Sequence, residues 1–372
     1  MKKIAFISLC RSDYQTISPI YAEFRKHDFF SCELICGGSH LLKRYGNSFE
    51  EVKSEFNEAK AKLNFLSQMD DNPSELVDAG GRLLHQFNEY LGESTPDAVF
   101  IVGDRWELLP IAFASFIRRI PLIHHSGGDI TQGSMDNQLR YSVTNLANLH
   151  LVAIDQHRQR LIQTGEEEWR IHVVGEPALA NAEKLLSTPK DKNSHTLATF
   201  HPCVSDELDI PAQVEFFIDC LKSITGKIIV TGPNPDAYSE IVYQKLKSYV
   251  ADHPDVEFCA NLGEQYYDVL KHSSLMIGNS SSGIWEAATF SVPVINLGTR
   301  QEGRTRQPNI IDISYNYESF KNAINQIKSS SFQESLRYMK NLYFDPDSVK
   351  KIYSVVKEEI NNPKFLNKKV LL

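Results

Sequence analysis

The chain has 372 residues, 42% of them hydrophobic and 23% charged, a balance that suits a globular protein with apolar material for two domain cores. Its net charge of -8 and pI near 5.9 exclude a general binder of nucleic acid or anionic membrane, so any anion must be caught by a focused site. Six cysteines, Cys10, Cys32, Cys36, Cys203, Cys220 and Cys259, are scattered in apolar surroundings, with neither metal spacing nor the look of a disulfide framework, which predicts reduced thiols in a cytoplasmic protein.

The opening "MKKIAFISLCRSDY" has two lysines before an apolar run, but the run stops at Arg11 and Asp13, so a first β-strand fits better than a signal peptide. Short apolar runs then alternate with amphipathic ones, the pattern of βαβ units around buried parallel strands. "KIAFISLC", "CELICGG", "DAVFIVGD", "PLIHHSGG" and "LHLVAI" form a first series. The "EEE" at Glu166 to Glu168 reads as a solvated surface run. A break rich in glycine, proline and lysine follows, "VVGEPALANAEKLLSTPKDKNSH", which places a domain boundary near Gly175. The second series is "HTLATFHP", "GKIIVTGP", "VEFCANL", "LMIGNS" and "VPVINLG", with a helix expected over Asp236 to Val250. The expectation is an α/β protein of two doubly wound domains, 1–174 and 175–347, facing across a cleft. No run approaches the roughly 20 apolar residues of a membrane span.

Ligands of open α/β sheets sit beyond the carboxyl ends of the strands. The polar residues there are Arg11, Ser12 and Asp13, Gly37 to His40, Gly103 to Arg105 and His124 to Asp129 in the first series. The second offers His201, Asn234 and Asp236, Asn279 to Ser282 with Glu286, and Thr299 with Arg300. "IGNSSSGIWEA" predicts a strand, a polar turn and a helix start, which together suit a phosphate, with Glu286 one turn in to accept from ribose hydroxyls. Serine caps and an early glutamate are equally ordinary at helix starts. "VGDRWE" delivers Asp104 and Arg105 to a strand end, as site residues or as a structural ion pair. Asp136 stands where a helix cap would be, with Arg140 one turn later. His201 in "FHPCVSDE" is an unusual residue for a strand end and reads as functional. No Walker loop and no "GxGxxG" after the first strand supports a kinase or a dehydrogenase.

Taken together, "RSDY", "GGSHLLKRYGNS", "VGDRWE", "GGDITQGSMDNQLRYSVTNLANLHLV", "FHP", "IGNSSSGIWEA" and "PVINLGTRQEGR" resemble, in order and from about residue 4 to 310, the hydrolysing UDP-N-acetylglucosamine 2-epimerases of sialic acid biosynthesis and their bacterial relatives. The resemblance implies two Rossmann-like domains of the glycosyltransferase-B type, with UDP held mainly by the second domain. A last helix, about Ser348 to Ile360, would cross back to the first domain. It implies Arg11, Ser280 and Ser281 as diphosphate ligands and Glu286 as the ribose ligand. His40, Arg105, His201 and Arg300 would line the cleft, with Asn234 and Asn279 at neighbouring strand ends. Asp104 and Asp136 match acids used in catalysis, and His201 is counted with them.

The implied reaction eliminates UDP to a 2-acetamidoglucal and then adds water, giving a free 2-epimeric sugar, N-acetylmannosamine from UDP-N-acetylglucosamine. It demands two acid/base groups and a cationic cradle, but no metal or redox cofactor. The expected partner is a UDP-sugar, in a homo-oligomer, dimer or tetramer. Three departures stand out: Ser126 occupies the place of a family glutamate in "HHSGGD", Asn137 follows Asp136 in place of a second acid, and Tyr141 replaces a histidine. A diacetamido UDP-sugar as substrate, a non-hydrolysing epimerase, a nucleotide-sugar glycosyltransferase and a non-catalytic UDP-sugar sensor remain the alternatives.

Overall fold

The computed structural model describes residues 1–67, 72–189, 195–234, 236–369 and 371; the expected polar linker at 190–194 lies outside them. The chain divides into two compact units, one of 1–129, 136–181 and 343–372, the other of 130–135 and 182–342. The strands of the first unit are β1 (Lys2–Ser8), β2 (Phe30–Gly37), β3 (Lys60–Leu63), β4 (Ala98–Val102), β5 (Leu122–His125), β6 (Leu149–Val152) and β7 (Ile171–Val173). Its helices are α1 (Arg11–Phe24), α2 (Phe49–Glu55), α3 (Pro73–Ser94), α4 (Leu108–Ile117), α5 (Asp136–Leu146), α6 (Asp155–Gln163) and, at its junction with the second unit, α7 (Ala180–Leu186). The second unit contributes β8 (His195–Thr199), β9 (Ile228–Thr231), β10 (Val256–Cys259), β11 (Ser273–Gly278), β12 (Val294–Leu297) and β13 (Ile310–Ile313). Its helices are α8 (Ile210–Lys222), α9 (Ser239–Ala251), α10 (Tyr266–Lys271), α11 (Ser282–Trp285), α12 (Tyr317–Ile327) and α13 (Ser330–Tyr338); α14 (Ser348–Glu359) belongs to the first unit.

Both sheets are parallel throughout their described pairings. The first runs β3-β2-β1-β4-β5-β6-β7 and the second β10-β9-β8-β11-β12-β13. Alternation along each strand sorts its side chains to two faces. In β1, Ile4 and Phe6 pack with Ile17, Tyr21 and Phe24 of α1 and with Ile352 and Val356 of α14. Ala5 and Ile7 pack on the other side, with Leu83 and Phe87 of α3 and Ile111 of α4. Burial on both faces is why these strands read as unbroken apolar runs. The expected strands are all present, and three edge strands join them: β3, β7 and β13. The division falls at Asn181, beyond Gly175, because the turn Pro177–Leu179 packs on α1 and Glu176 accepts from Thr16 at 3.2 Å.

Strand order reverses beside β1 and β4 in the first sheet and beside β8 and β11 in the second. Such switch points open a crevice where two neighbouring strand-end loops turn apart. They put the loops after Ser8 and Val102 side by side, and likewise those after Thr199 and Gly278. Gly278 has φ +135°, and a Cβ there would stand 1.8 Å from the Thr199 carbonyl oxygen. Gly278→Ala is expected to cost at least about 2 kcal/mol of unfolding free energy, from backbone strain and collision together. A denaturation midpoint matching the parent protein's would show that β8 and β11 can part at this point without penalty.

Candidate active site

In the first unit, the side chain that gathers the others is Arg140. It is fully buried in α5, pairs with the half-buried carboxylate of Asp104, and donates to the Asp129 carbonyl at 3.1 Å. Burial alone would lower this guanidinium, but the charges of Asp104, Asp129 and Asp136 around it outweigh burial and raise it. A paired buried cation favours the ionised carboxylate beside it. Asp136 is the first residue of α5, one place inside the cap position expected for it. Of the two expected neighbours, Asp104 pairs with Arg140 and Arg105 donates to the buried Glu107 at 2.9 Å.

Arg11 opens α1 at the end of β1, half-buried. His40 lies in the short turn after β2. It is fully buried, with Nδ1 2.7 Å from the Ser48 hydroxyl and Nε2 2.9 Å from the Ser8 hydroxyl. Ser8 spends its one proton on Asp13, at 2.7 Å, so His40 Nε2 donates to Ser8 and Nδ1 accepts from Ser48. Both ring nitrogens are hydrogen-bonded within the fold, and the ring braces the β1–α1 loop. The "EEE" expectation is corrected: Glu166 is buried and bound to His150 and Lys368, and Glu167 pairs with Arg170 at 2.7 Å.

In the second unit, Asn279 ties the two switch-point loops together. Its side-chain oxygen accepts from the His201 N–H at 2.7 Å, and its amide donates back to the His201 carbonyl at 2.8 Å. These two hydrogen bonds to main chain make Asn279 a brace between the loops. Its own carbonyl accepts from Arg300 at 3.1 Å and from Gln301 at 2.8 Å. The Asn234 N–H donates to His201 Nδ1 at 3.2 Å, so a neutral His201 carries its proton on Nε2.

The helix expected after the serines is a single turn, α11, followed by a 3₁₀ turn over Ala287–Phe290; Glu286 lies at their junction. Four residues supply almost no macrodipole. Three main-chain N–H groups are spent inside the turn, Ser282 on Ser280 Oγ at 3.3 Å, Gly283 on Ser280 O and Ile284 on Ser281 O. The turn also offers the half-buried hydroxyls of Ser280 and Ser281. Glu286 is buried, and the Tyr267 hydroxyl holds its Oε1 at 2.7 Å. The segment 130–135, between β5 and α5 in sequence, packs within this unit. Gly133 lies so close to Thr299 that a Cβ would come within 1.9 Å of its carbonyl.

The chain matches the UDP-N-acetylglucosamine 2-epimerase family over residues 22–357. It belongs to that family. Its relatives include the UDP-N,N'-diacetylbacillosamine 2-epimerase (hydrolyzing) of Legionella pneumophila, 29% identical, with 99% of each chain covered. A GDP/UDP-N,N'-diacetylbacillosamine 2-epimerase (hydrolyzing) of Campylobacter jejuni is 30% identical over 90% of this chain and 89% of its own. The UDP-GlcNAc 2-epimerase of Neisseria meningitidis, solved bound to UDP-GlcNAc, superposes with a TM-score of 0.79 at 16% identity, covering 96% of this chain and all of its own. That likeness establishes the shared glycosyltransferase-B-like fold. Membership places the protein among UDP-sugar 2-epimerases, and no helix among the described residues is long and apolar enough to cross a membrane.

Within the epimerase, three residues of this neighbourhood escaped the sequence reading. Arg140 was visible only as a capping partner of Asp136, because nothing in the chain announces its pairing with a carboxylate on another strand. Tyr267 meets Glu286 only through the fold, although "EQYYD" marks an aromatic pair. Gln301 had no signal beyond its place beside Arg300.

Burial pushes His40 and His124 down to about 3 and His125 to about 4. Below the ordinary 6.5 the unfolded chain binds protons that the folded protein refuses. The stability tied to these neutral histidines is complete above about pH 6.5 and is lost as pH falls toward their folded values. Asp13, raised to about 6 by burial, acts oppositely: the folded state keeps its proton while the unfolded state releases it, so this group penalises the fold above about pH 6. With three histidines against one carboxyl, the urea midpoint should fall as pH drops from about 6.5 to 4.5, and less steeply in His40→Gln. A midpoint flat over that interval would mean that the buried imidazoles protonate without cost.

Proposed function

We propose that the protein is a hydrolysing 2-epimerase acting on UDP-N,N'-diacetylbacillosamine, a UDP-2,4-diacetamido-2,4,6-trideoxyglucose, and releasing UDP and the free 2-epimeric sugar. The observation that carries this reading is end-to-end similarity to the Legionella enzyme of that activity, joined to the Asp104–Arg140–Asp136 grouping. The same reaction on UDP-N-acetylglucosamine is the second reading, and the family description favours it.

The proton on carbon 2 is not acidic, so direct inversion is difficult. In the first step one carboxylate takes that proton, the bond from carbon 1 to the UDP oxygen breaks with its electron pair leaving on UDP, and a double bond forms between carbons 1 and 2. In the second, the other group delivers a proton to the opposite face of carbon 2, water adds its oxygen to carbon 1 and returns a proton to that group, and the first carboxylate releases its proton to solvent. Asp104, paired with Arg140, and Asp136 are the two proton-transfer groups. Arg11, Arg105, Arg300, Ser280 and Ser281 take up the leaving charge. Glu286, steadied by Tyr267, accepts from the ribose, and His201, with its proton on Nε2 and Asn234 nearby, donates to the substrate. A serine has no carboxylate chemistry, so Ser126 transfers no proton.

Turnover in deuterated water is expected to place deuterium at carbon 2 of a free sugar of inverted configuration. In oxygen-18 water the label should enter the anomeric oxygen, sampled before mutarotation, and not UDP. A sugar still attached to UDP would point to a non-hydrolysing epimerase. Free sugar of unchanged configuration without deuterium would point to a leaking glycosyltransferase, and binding without turnover on either UDP-sugar to a sensor.

Asp104→Asn and Asp136→Asn should each retain UDP binding by calorimetry and lose on the order of 100-fold or more in kcat, the scale of a removed acid/base group. An Asp136→Asn protein with normal kcat and a lowered melting temperature would reduce Asp136 to a helix-start charge.

A further inference from the structure

The helix that carries Asp136 and Arg140 rests on a polar layer. His124 and His150 are register partners on β5 and β6, both fully buried. They share a sheet face with Leu122, which packs against Val143 and Ala147 on the α5 side, and Arg140 and Thr144 of α5 are buried as well. His124 Nε2 donates to the Gly103 carbonyl at 2.8 Å, one residue before Asp104.

The far end of this layer is closed by a segment from the other end of the chain. The Lys368 ammonium donates to two carbonyls of the last turn of α5, Thr144 at 2.9 Å and Asn145 at 3.0 Å. It also pairs with Glu166 Oε1 at 2.5 Å, and Glu166 Oε2 meets His150 Nε2 at 3.0 Å. Lys368 is held to this place by its own backbone neighbours. The fully buried guanidinium of Arg170 donates to the carbonyls of Asn148, Phe365, Lys364 and Asn367, at 2.8 to 3.0 Å, and the Asn148 amide binds Phe365 O at 3.2 Å.

We infer that Lys368 is a positioning residue for the reaction: its ammonium, clasped by Glu166, anchors the carbonyl end of α5 and so sets where the opposite end presents Asp136 and Arg140. The inference rests on the reading of Asp104 and Asp136 as the proton-transfer groups. Physically, a cation on the last carbonyls satisfies acceptors that lack intrahelical donors and opposes the negative end of the dipole. Eleven residues span about 16 Å, so α5 is a short rigid lever. Misplacing a reacting group by about 1 Å costs on the order of 100-fold in rate.

The test uses the full chain with Lys368→Met, Lys368→Arg and Glu166→Gln, comparing amide hydrogen exchange of α5, UDP affinity by calorimetry, and kcat and KM on both UDP-sugars. In Lys368→Met, α5 amides should exchange about tenfold faster and kcat should fall about tenfold or more, with UDP affinity and KM within about twofold. Lys368→Arg should recover most of the kcat. Glu166→Gln, which keeps the side-chain volume, should move exchange and kcat in the same direction by less, and it carries the test if Lys368→Met does not fold. Unchanged α5 exchange, or loosened α5 with the parent kcat, overturns the inference, as does a kcat loss matched by an equal loss of UDP affinity. If the parent protein turns over neither sugar, the functional reading fails instead, and the exchange comparison still decides whether Lys368 anchors α5.

Discussion

A single buried guanidinium organises the strand-end loops after β4 and β5 in the first unit. Arg140 has no exposed surface, and an uncompensated charge in that position would cost roughly several kcal/mol. The fold must therefore bring acceptors to it, and those acceptors are Asp104 at the end of β4 and the Asp129 carbonyl after β5. Two strand-end loops and one helix are in this way tied to one cation. The acids of the site are ordered by an electrostatic demand of the core, and that is a stronger restraint than loop packing supplies. Asp104, Asp129 and Asp136 all act on this one cation and together raise it against the effect of burial.

The second unit solves the same architectural problem without charge. At its switch point a neutral amide, Asn279, reaches across from the end of β11 and closes a two-bond ring on the main chain of His201. The Gly278 backbone is pressed against Thr199 so closely that no side chain fits between. Under the proposed function the contrast suits two tasks: an amide brace leaves the hydroxyls of the second unit to act on a nucleotide anion, and a cation beside carboxylates suits the moving of protons.

Much of this was legible in the chain, and the losses have physical causes. The central strands announce themselves because both faces are buried, so "AVFIV" and "LMIG" carry no polar interruption. The edge strands β3, "KAKL", and β13, "IIDI", pair on one side only and carry charge, which is how edges are kept from pairing further, and that same charge hides them from a reading based on hydrophobicity. Strand-end residues are legible as such, since position after a strand is a sequence property. Their partners are not: the fold supplies those of His40 and Asn279 from 32 and 78 residues away. Glu166 shows the same limit. A run of three glutamates looks solvated until a lysine some two hundred residues later arrives to bury one of them.

Ser126 is the departure from the family pattern for which the structure offers a physical meaning. Its φ of +84° lies where a non-glycine residue carries a strain of roughly 1–3 kcal/mol, a cost that persists only where the surroundings hold the residue there. Glycines stand next in the chain at 127 and 128, yet this position keeps a side chain. The hydroxyl lies 3.0 Å from His125 Nδ1, and the other nitrogen of that ring donates to the Gly175 carbonyl at 3.2 Å. Since only a protonated Nε2 can serve a carbonyl, Nδ1 must accept, and the serine proton is what it accepts. Ser126 thus fixes a buried, neutral imidazole in one tautomer and ties the β5 loop to the chain that leaves β7. A glutamate in its place would bring a charge against a ring that burial keeps neutral, whereas the hydroxyl supplies the one proton that the ring accepts.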